Sequence, residues 1–374
     1  MNPLKILYDH QAFAAQKYGG VSRLFYELIK HLAGRKEIEL YLFHGLYINR
    51  FPVRDFKQGA AFYFGHQIVS LPHISVLLKP INQVLFKTLA GKPVDIYHPT
   101  GYSSTVSNWQ KSPVVLTVYD MIAELFPKDF PDSESRRENK QKCIERADKI
   151  ITISETTKLD LLHFYKVDEA KISVIYPGAP AEIVEKKQND SYKHEKPYIL
   201  YVGTRKQGYK NFDNLLLAYA ISKKIHDEFD LICFGGPAFS RAEQELIGLL
   251  DCLDNVFHVP GNDRELAKLY TGAAAFVYPS LHEGFGLPPL EAMAYGCPVI
   301  AGHVAVTREV LGDAAAYFEP RAPESIVSAL ESVLFDSTFS LELKERGKKQ
   351  VKKYSWTKMA DEIFEVYKNC TVTQ

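Results

Sequence analysis

Hydrophobic positions along the chain fall into short apolar runs that alternate with stretches of helical periodicity. The first run, Leu4–His10, is strand-like and is followed by a loop holding Gly19 and Gly20. Leu24, Phe25, Leu28, Ile29 and Leu32 then recur at helical spacing, which predicts an amphipathic helix over Val21–Leu32. Further strands are predicted at Ile38–Phe43, Val94–His98, Val114–Tyr119, Lys149–Ile153 and Ile172–Tyr176, with a helix starting at Ser154. Pro177, Gly178, Pro180 and the charged run Glu185–Lys196 break the pattern. It resumes at Tyr198–Gly203 and continues through Leu231–Phe234, Val256–Val259, Ala274–Tyr278 and Pro298–Ala301, each separated by helical periodicity. Helices are predicted from about Pro323 onward, with Trp356, Met359, Ile363 and Val366 forming a last apolar stripe.

Strand and helix in alternation predict the α/β class, as two doubly wound, Rossmann-like parallel-sheet domains facing a cleft. The expected limits are 1–178 for the first domain, 179–196 for a linker, 197–353 for the second domain, and 354–374 for a terminal helix packing back toward the first domain.

Composition narrows the function classes. The chain has 374 residues with 45 basic and 45 acidic side chains, a balance that argues against a dedicated nucleic-acid binder. The longest apolar run is Leu215–Ile221, far short of the ~18 residues of a membrane span. Asp9 and His10 interrupt any apolar start, so no secretory signal is expected. Five scattered cysteines without C-x-x-C are expected to be reduced thiols in a cytoplasmic protein. The zero net charge conceals a split, since residues 1–178 carry 23 basic and 18 acidic side chains, net +5, leaving −5 for the rest. Within residues 50–92, Arg50, Arg54, Lys57, Lys79, Lys87 and Lys92 face Asp55 as the only acid, amid many Phe, Leu and Ile.

Ligands of doubly wound sheets bind beyond the carboxyl ends of the strands, so the chemistry is sought there. G-x-G-x-x-G is absent after both opening strands, and no Walker-type loop occurs. The most informative string is Tyr278–Glu291, YPSLHEGFGLPPLE. It leaves a strand, passes Gly284 and Gly286, and enters a helix near Pro288. Glycines admit a ligand close to the backbone, and a helix start offers unpaired N–H groups to an anion. Glu283 and Glu291 bracket this segment, and a carboxylate can accept two hydroxyls of a diol. Glu291 equally suits a first-turn acid that complements the helix dipole.

This string resembles the donor-site signature of the retaining GT-B glycosyltransferases of family 4. The resemblance implies that Glu283 contacts the transferred sugar and Glu291 the ribose, with the backbone of Phe285, Gly286 and Leu287, next to Gly284, lining phosphate and sugar. YVGTRKQGYKN (Tyr201–Asn211) is similar to the family's strand-loop, and the resemblance assigns Arg205 and Lys210 to the donor diphosphate. KYGGVSR (Lys17–Arg23) resembles its glycine-rich loop, with Gly19 and Gly20 at the close-approach positions. Gly296–Ala315 also resembles the family, while residues 44–92 carry no recognisable motif.

One departure stands out. Where the family often has His-Asp at a strand end, this chain has Tyr119-Asp120. Tyr119 is therefore a candidate for shaping the sugar pocket, or else a packed aromatic. Asp120 is a candidate acceptor-side carboxylate or a cap for the next segment. His98 and His10, closing two other strands, are candidate sugar or acceptor contacts or structural histidines.

The function implied is metal-independent, retaining transfer of a hexose or deoxyhexose from a GDP-, UDP- or dTDP-linked sugar. The acceptor would be a saccharide or lipid-linked saccharide, in bacterial surface polysaccharide synthesis. Cations would stabilise the leaving diphosphate, with Arg205, Lys210, Glu283 and Asp120 as the catalytic set. No D-x-D occurs, so neither metal nor other cofactor is expected. A nucleotide-sugar epimerase and a non-catalytic nucleotide-sugar-binding module are the alternatives. Residues 50–92 suggest peripheral contact with the inner face of the plasma membrane, or a helical insertion with a solvated basic face.

Overall fold

In the computed structural model, residues 2–56, 60–68, 74–89, 93–179 and 191–372 are described. The chain divides into two compact units, Met1–Gly178 with Trp356–Gln374, and Ala179–Ser355.

The first unit contains β1 (Leu4–Tyr8), β2 (Ile38–Tyr47), β3 (Ala60–Gln67), β4 (Ile96–His98), β5 (Val115–Val118), β6 (Lys149–Thr152) and β7 (Ile172–Val174). Four strands pair in the order β3-β2-β1-β4 and three as β5-β6-β7. A parallel bridge from Tyr97 to Val114 joins the two sets. All pairings are parallel, and the strand order reverses between β1 and β4. Inner strands such as β5 and β6 are buried on both faces, which is why they are continuous apolar runs rather than alternating ones. Leu7, Phe43, Phe86, Tyr97, Trp109, Leu116 and Ile150 belong to its core.

The helix Gly20–Leu32 covers this sheet through Leu24, Phe25, Leu28, Ile29 and Leu32, the positions that the periodicity selected. The terminal helix Trp356–Val372 packs against it. Asp361 pairs with Arg35 at 2.7 Å, and the Tyr367 hydroxyl lies 2.7 Å from that of Tyr8.

The second unit contains β8 (Tyr198–Val202), β9 (Asp230–Phe234), β10 (Val256–Val259), β11 (Ala275–Tyr278), β12 (Val299–Gly302) and β13 (Ala315–Phe318). Their order is β10-β9-β8-β11-β12-β13, again parallel, with the reversal between β8 and β11. The loops after β8 and β11 therefore flank the switch point where doubly wound sheets bind ligands.

Two expectations change. Residues 50–92 are no purely helical insertion, because β3 extends the sheet beyond β2 before the helix Ile74–Leu89 begins. β13 went unpredicted, since Ala315 and Ala316 carry little strand propensity and are held by pairing with β12. Residues 180–190 of the expected linker lie outside the described residues. The stretch that follows is tied to the second unit, where His194 Nε2 lies 2.7 Å from the Asp230 carboxylate.

Candidate active site

In the second unit, the strands deliver two loops that are stitched together. Asn211 adopts the left-handed conformation, φ 58°, between a 3-10 turn and the helix Phe212–Ile221. Its side-chain amide donates to the carbonyls of Pro279 (3.0 Å) and Pro320 (2.6 Å), beyond β11 and β13. The Leu281 N–H donates to the Tyr209 carbonyl at 2.7 Å. Lys210, held between these ties, donates from Nζ to Glu283 at 2.6 Å. Both side chains of this pair are largely buried, with 17% and 11% exposure. Two residues that are distant in sequence thus form one cation–carboxylate pair at the switch point. Tyr278 adds a hydroxyl hydrogen bond to Glu283; its pKa is raised by burial first and by that carboxylate second.

Past Glu283 the chain reaches Gly286, whose φ of 98° and ψ of 67° favour glycine. The helix Leu287–Ala294 follows, with prolines in its first turn, where a missing N–H costs nothing. Phe285 is buried edge-on to Tyr354, fixing the loop before the helix. Glu291 is buried inside this helix and accepts from the Tyr270 hydroxyl at 3.3 Å. Gly284 is buried beside Glu283, while Leu287 is half-exposed at the helix start.

Arg205 departs from expectation. Its side chain is 1% exposed and points into protein. Nε donates to Glu243 at 2.7 Å, and the two terminal nitrogens donate to the carbonyls of Gly235 and Pro237. Its guanidinium also lies 4.6 Å from the centre of the Phe239 ring. Glu243 is claimed at the same time by the Ser240 capping box that starts the helix Arg241–Leu249. Arg205 thus braces the loop after β8 against the turn after β9, and Lys210 is the cation left beside the carboxylate.

In the first unit, Gly19 caps the helix Gly20–Leu32 in extended backbone, and a side chain at Gly19 would collide with Gln16. Gly20 is the exposed first residue of that helix. Asp120 accepts from the Ile122 N–H at 3.1 Å through one carboxylate oxygen, at the start of the short helix Ile122–Leu125. Tyr119 is buried against Phe25 and Tyr102, and among the described residues its hydroxyl has no hydrogen-bond partner. Burial raises its pKa well above the usual tyrosine range, so it stays protonated.

His98 and His10 are both buried in the first unit. His98 is fully buried, with Nδ1 2.5 Å from the Tyr367 hydroxyl and Nε2 2.8 Å from that of Thr117. Both ring nitrogens are occupied by the core, leaving none for a substrate. His10 is enclosed by Phe43 and Phe86. Burial lowers its pKa, against the opposing pull of Asp9.

His98 carries a pH prediction. Burial lowers its pKa to about 3, below the ordinary 6.5. An unfolded chain takes up this proton below about pH 6.5, whereas the folded chain refuses it until about pH 3. Stability should therefore be complete above 6.5 and fall as the pH drops toward 3, by up to about 1.4 kcal/mol per unit. Urea unfolding between pH 7.5 and 5 is expected to show this slope, and His98→Gln to flatten it. An unchanged slope in the variant would contradict the assignment.

Two clusters escaped the sequence reading. Asp9, buried after β1, accepts from the Gln11 side chain (2.7 Å), the Tyr97 hydroxyl (2.5 Å) and the Thr100 hydroxyl (2.6 Å). It clamps the loops after β1 and β4 on both sides of the first switch point. Lys140 and Glu124 form a buried ion pair at 2.9 Å, described below. An acid directly after a strand was the available signal for Asp9; nothing in sequence spacing marks the second cluster. Among the described residues, no group of three or more His, Cys, Asp or Glu is arranged to hold a metal ion.

The comparisons agree with this architecture. Residues 18–182 match the family model described as Glycosyltransferase Family 4, and residues 183–350 match that described as Glycosyl transferases group 1. The chain belongs to the family 4 glycosyltransferases, with the GT-B fold. It is 28% identical to O-antigen chain mannosyltransferase B of Escherichia coli over 375 residues, covering 93% of this chain and 96% of that protein. It is 32% identical to O-antigen chain mannosyltransferase RfbU of Salmonella typhimurium over 222 residues, covering 58% of this chain and 60% of RfbU. In fold it is similar to the sucrose-phosphate synthase of Thermosynechococcus elongatus, with a TM-score of 0.76 at 18% identity, covering 99% of this chain and 100% of that one.

Proposed function

We propose that the protein transfers a hexose or deoxyhexose, mannose first among them, from a nucleotide-diphosphate sugar to a saccharide or lipid-linked saccharide. The transfer proceeds with retention and without a metal ion, in the synthesis of a bacterial surface polysaccharide. The carrying observation is the Lys210–Glu283 pair at the switch point, directly before the left-handed Gly286 and its helix start. The two full- or part-length mannosyltransferase relatives support mannose and the polysaccharide.

Breaking the anomeric bond leaves positive charge on the sugar and negative charge on the departing diphosphate. Lys210 and the N–H groups at the start of Leu287–Ala294 stabilise the anion where it grows. Glu283 accepts hydroxyls of the sugar, and Glu291 those of the ribose. Lys210 and Glu283 hold each other, and donor binding exchanges one partner of each. The departing phosphate takes the acceptor proton on the face it leaves, and no enzyme nucleophile is needed. Arg205 acts through the shape of the loop, and Gly19 and Gly20 are assigned to close backbone approach to the donor phosphates. Tyr119, whose neutral hydroxyl has no hydrogen-bond partner among the described residues, is assigned to the choice of donor sugar. These donors are charged and cytoplasmic, which locates the reaction there.

The test is a screen of nucleotide-diphosphate sugars, with and without saccharide acceptors, in chelator. Acceptor-dependent release of nucleoside diphosphate is expected. Donor isomerisation without acceptor would indicate an epimerase, and saturable binding without release a binding module. In the same screen Tyr119→His and Tyr119→Phe are expected to change the donor preference; an unchanged preference would remove Tyr119 from the pocket.

A further inference from the structure

Asn211, in the loop after β8, is a buried amide on which the ends of β8, β11 and β13 converge. Nδ2 donates to the Pro279 carbonyl at 3.0 Å, just past β11, and to the Pro320 carbonyl at 2.6 Å, just past β13. Oδ1 accepts from the Asn214 side chain at 2.7 Å. Only the nitrogen of an amide can donate, so two carbonyls on one side and a donor on the other fix which way it points. β12 fills the space between the tied loops. It ends at Gly302, where a Cβ would stand 3.2 Å from the Ser280 carbonyl oxygen and 3.3 Å from the Pro320 ring.

The backbone of Asn211 shares in this arrangement. Its φ of 58° and ψ of 31° lie in the left-handed region, which Asn enters more readily than most residues that carry a Cβ. Its N–H donates to the Gly208 carbonyl at 3.0 Å and closes the turn Gly208–Lys210, while its own carbonyl accepts from the Leu215 N–H at 3.3 Å and opens the next helix. Glycine would suit this backbone equally well, so the conformation alone does not call for an amide. The ties to Pro279 and Pro320 do. Asn211 directly follows Lys210, and Pro279 stands four residues before Glu283. One side chain therefore sets the spacing between the backbone that carries the cation and the backbone that carries the carboxylate.

We propose that Asn211 is a positioning residue for glycosyl transfer. Its amide holds the Lys210 backbone where Nζ, on a flexible four-carbon stem, reaches Glu283 and the departing diphosphate together. Asn211 touches no substrate and acts through Lys210. The inference rests on the reading of the Lys210–Glu283 pair as the donor site, and it adds the residue that keeps that pair in register.

The experiment is a double-mutant cycle on the full chain, with Asn211→Gly and Lys210→Ala, read in kcat/KM for the donor and acceptor that turn over in the screen above. Asn211→Gly keeps the left-handed backbone and removes the ties, and it should lower kcat/KM about 10- to 100-fold, the scale of a misplacement of about 1 Å. In the Lys210→Ala background the same change should cost less than about twofold, because the group it positions is gone. Asn214→Ala frees Oδ1 without altering the loop backbone. It should lower kcat/KM by a smaller factor, and again only where Lys210 is present. Circular dichroism and thermal melting check that each variant is folded, and if Asn211→Gly does not fold, Asn214→Ala decides by the same comparison. An equal loss in both backgrounds would make the amide a matter of folding alone and overturn the proposal, as would wild-type kcat/KM in Asn211→Gly. Wild-type turnover in Lys210→Ala is a different failure, since it removes the donor-site reading and this inference with it.

Discussion

Lys210→Ala is expected to lower kcat/KM for the nucleotide-sugar donor by about 10²–10³ while the chain stays folded. Loss of a single preorganised group facing developing charge typically has that effect. Lys210 is the cation concerned because the alternative, Arg205, is consumed by Glu243, Gly235 and Pro237. Lys210 is also partly accessible, so replacing it leaves Glu283 able to recruit water and limits the structural damage. Glu283→Gln should act differently. It keeps the shape of the side chain, releases Lys210, and weakens the sugar contact, so kcat is expected to fall more than affinity for the sugar-free nucleoside diphosphate. Steady-state kinetics and calorimetry with the nucleoside diphosphate separate the two. Wild-type turnover in both variants would remove the site assignment.

Glu124→Ala is expected to destabilise the first unit by about 3–5 kcal/mol, because it strands a buried ammonium. Lys140 and Glu124 side chains are 5% and 0% exposed. Each carboxylate oxygen lies 2.9 Å from Nζ, and one of them also accepts from the Tyr165 hydroxyl. Nζ donates in addition to the Asp120 carbonyl at 2.9 Å, so the pair anchors the loop that carries Tyr119 and Asp120. Joint replacement, Glu124→Leu with Lys140→Met, should recover most of the loss, since desolvation of both charges is relieved together. Chemical denaturation measures both. A loss below about 1 kcal/mol for Glu124→Ala would mean that water reaches the ammonium.

What the sequence disclosed follows from the range of the forces involved. Strands buried on both faces and helices with one apolar side write their own pattern, as in Tyr198–Val202 and Gly20–Leu32. The fold class was legible for that reason. β3 was not, because its aromatic and glycine residues acquire a strand role only by pairing with β2. Among the site residues, Glu283 and Gly286 stood out through a string that joins a strand end, glycines and a helix start. Arg205 and Lys210 of the β8 loop looked equivalent in sequence. Only the fold shows that Glu243, 38 residues away, claims Arg205, while Glu283, 73 residues away, meets Lys210. His98 misled for a related reason. A histidine at a strand end looks available until Tyr367, 269 residues later, closes over it.

The central claim is glycosyl transfer from a nucleotide-diphosphate sugar at the Lys210–Glu283 site with the anomeric configuration kept. The most direct measurement follows the acceptor-dependent reaction of the donor screen by proton NMR in chelator. With an α-linked donor such as a nucleotide-diphosphate mannose, the donor anomeric signal should decay as an α-glycosidic signal grows, one nucleoside diphosphate appearing for each new linkage. A β-linked product, or a donor consumed without any new linkage, would contradict the account.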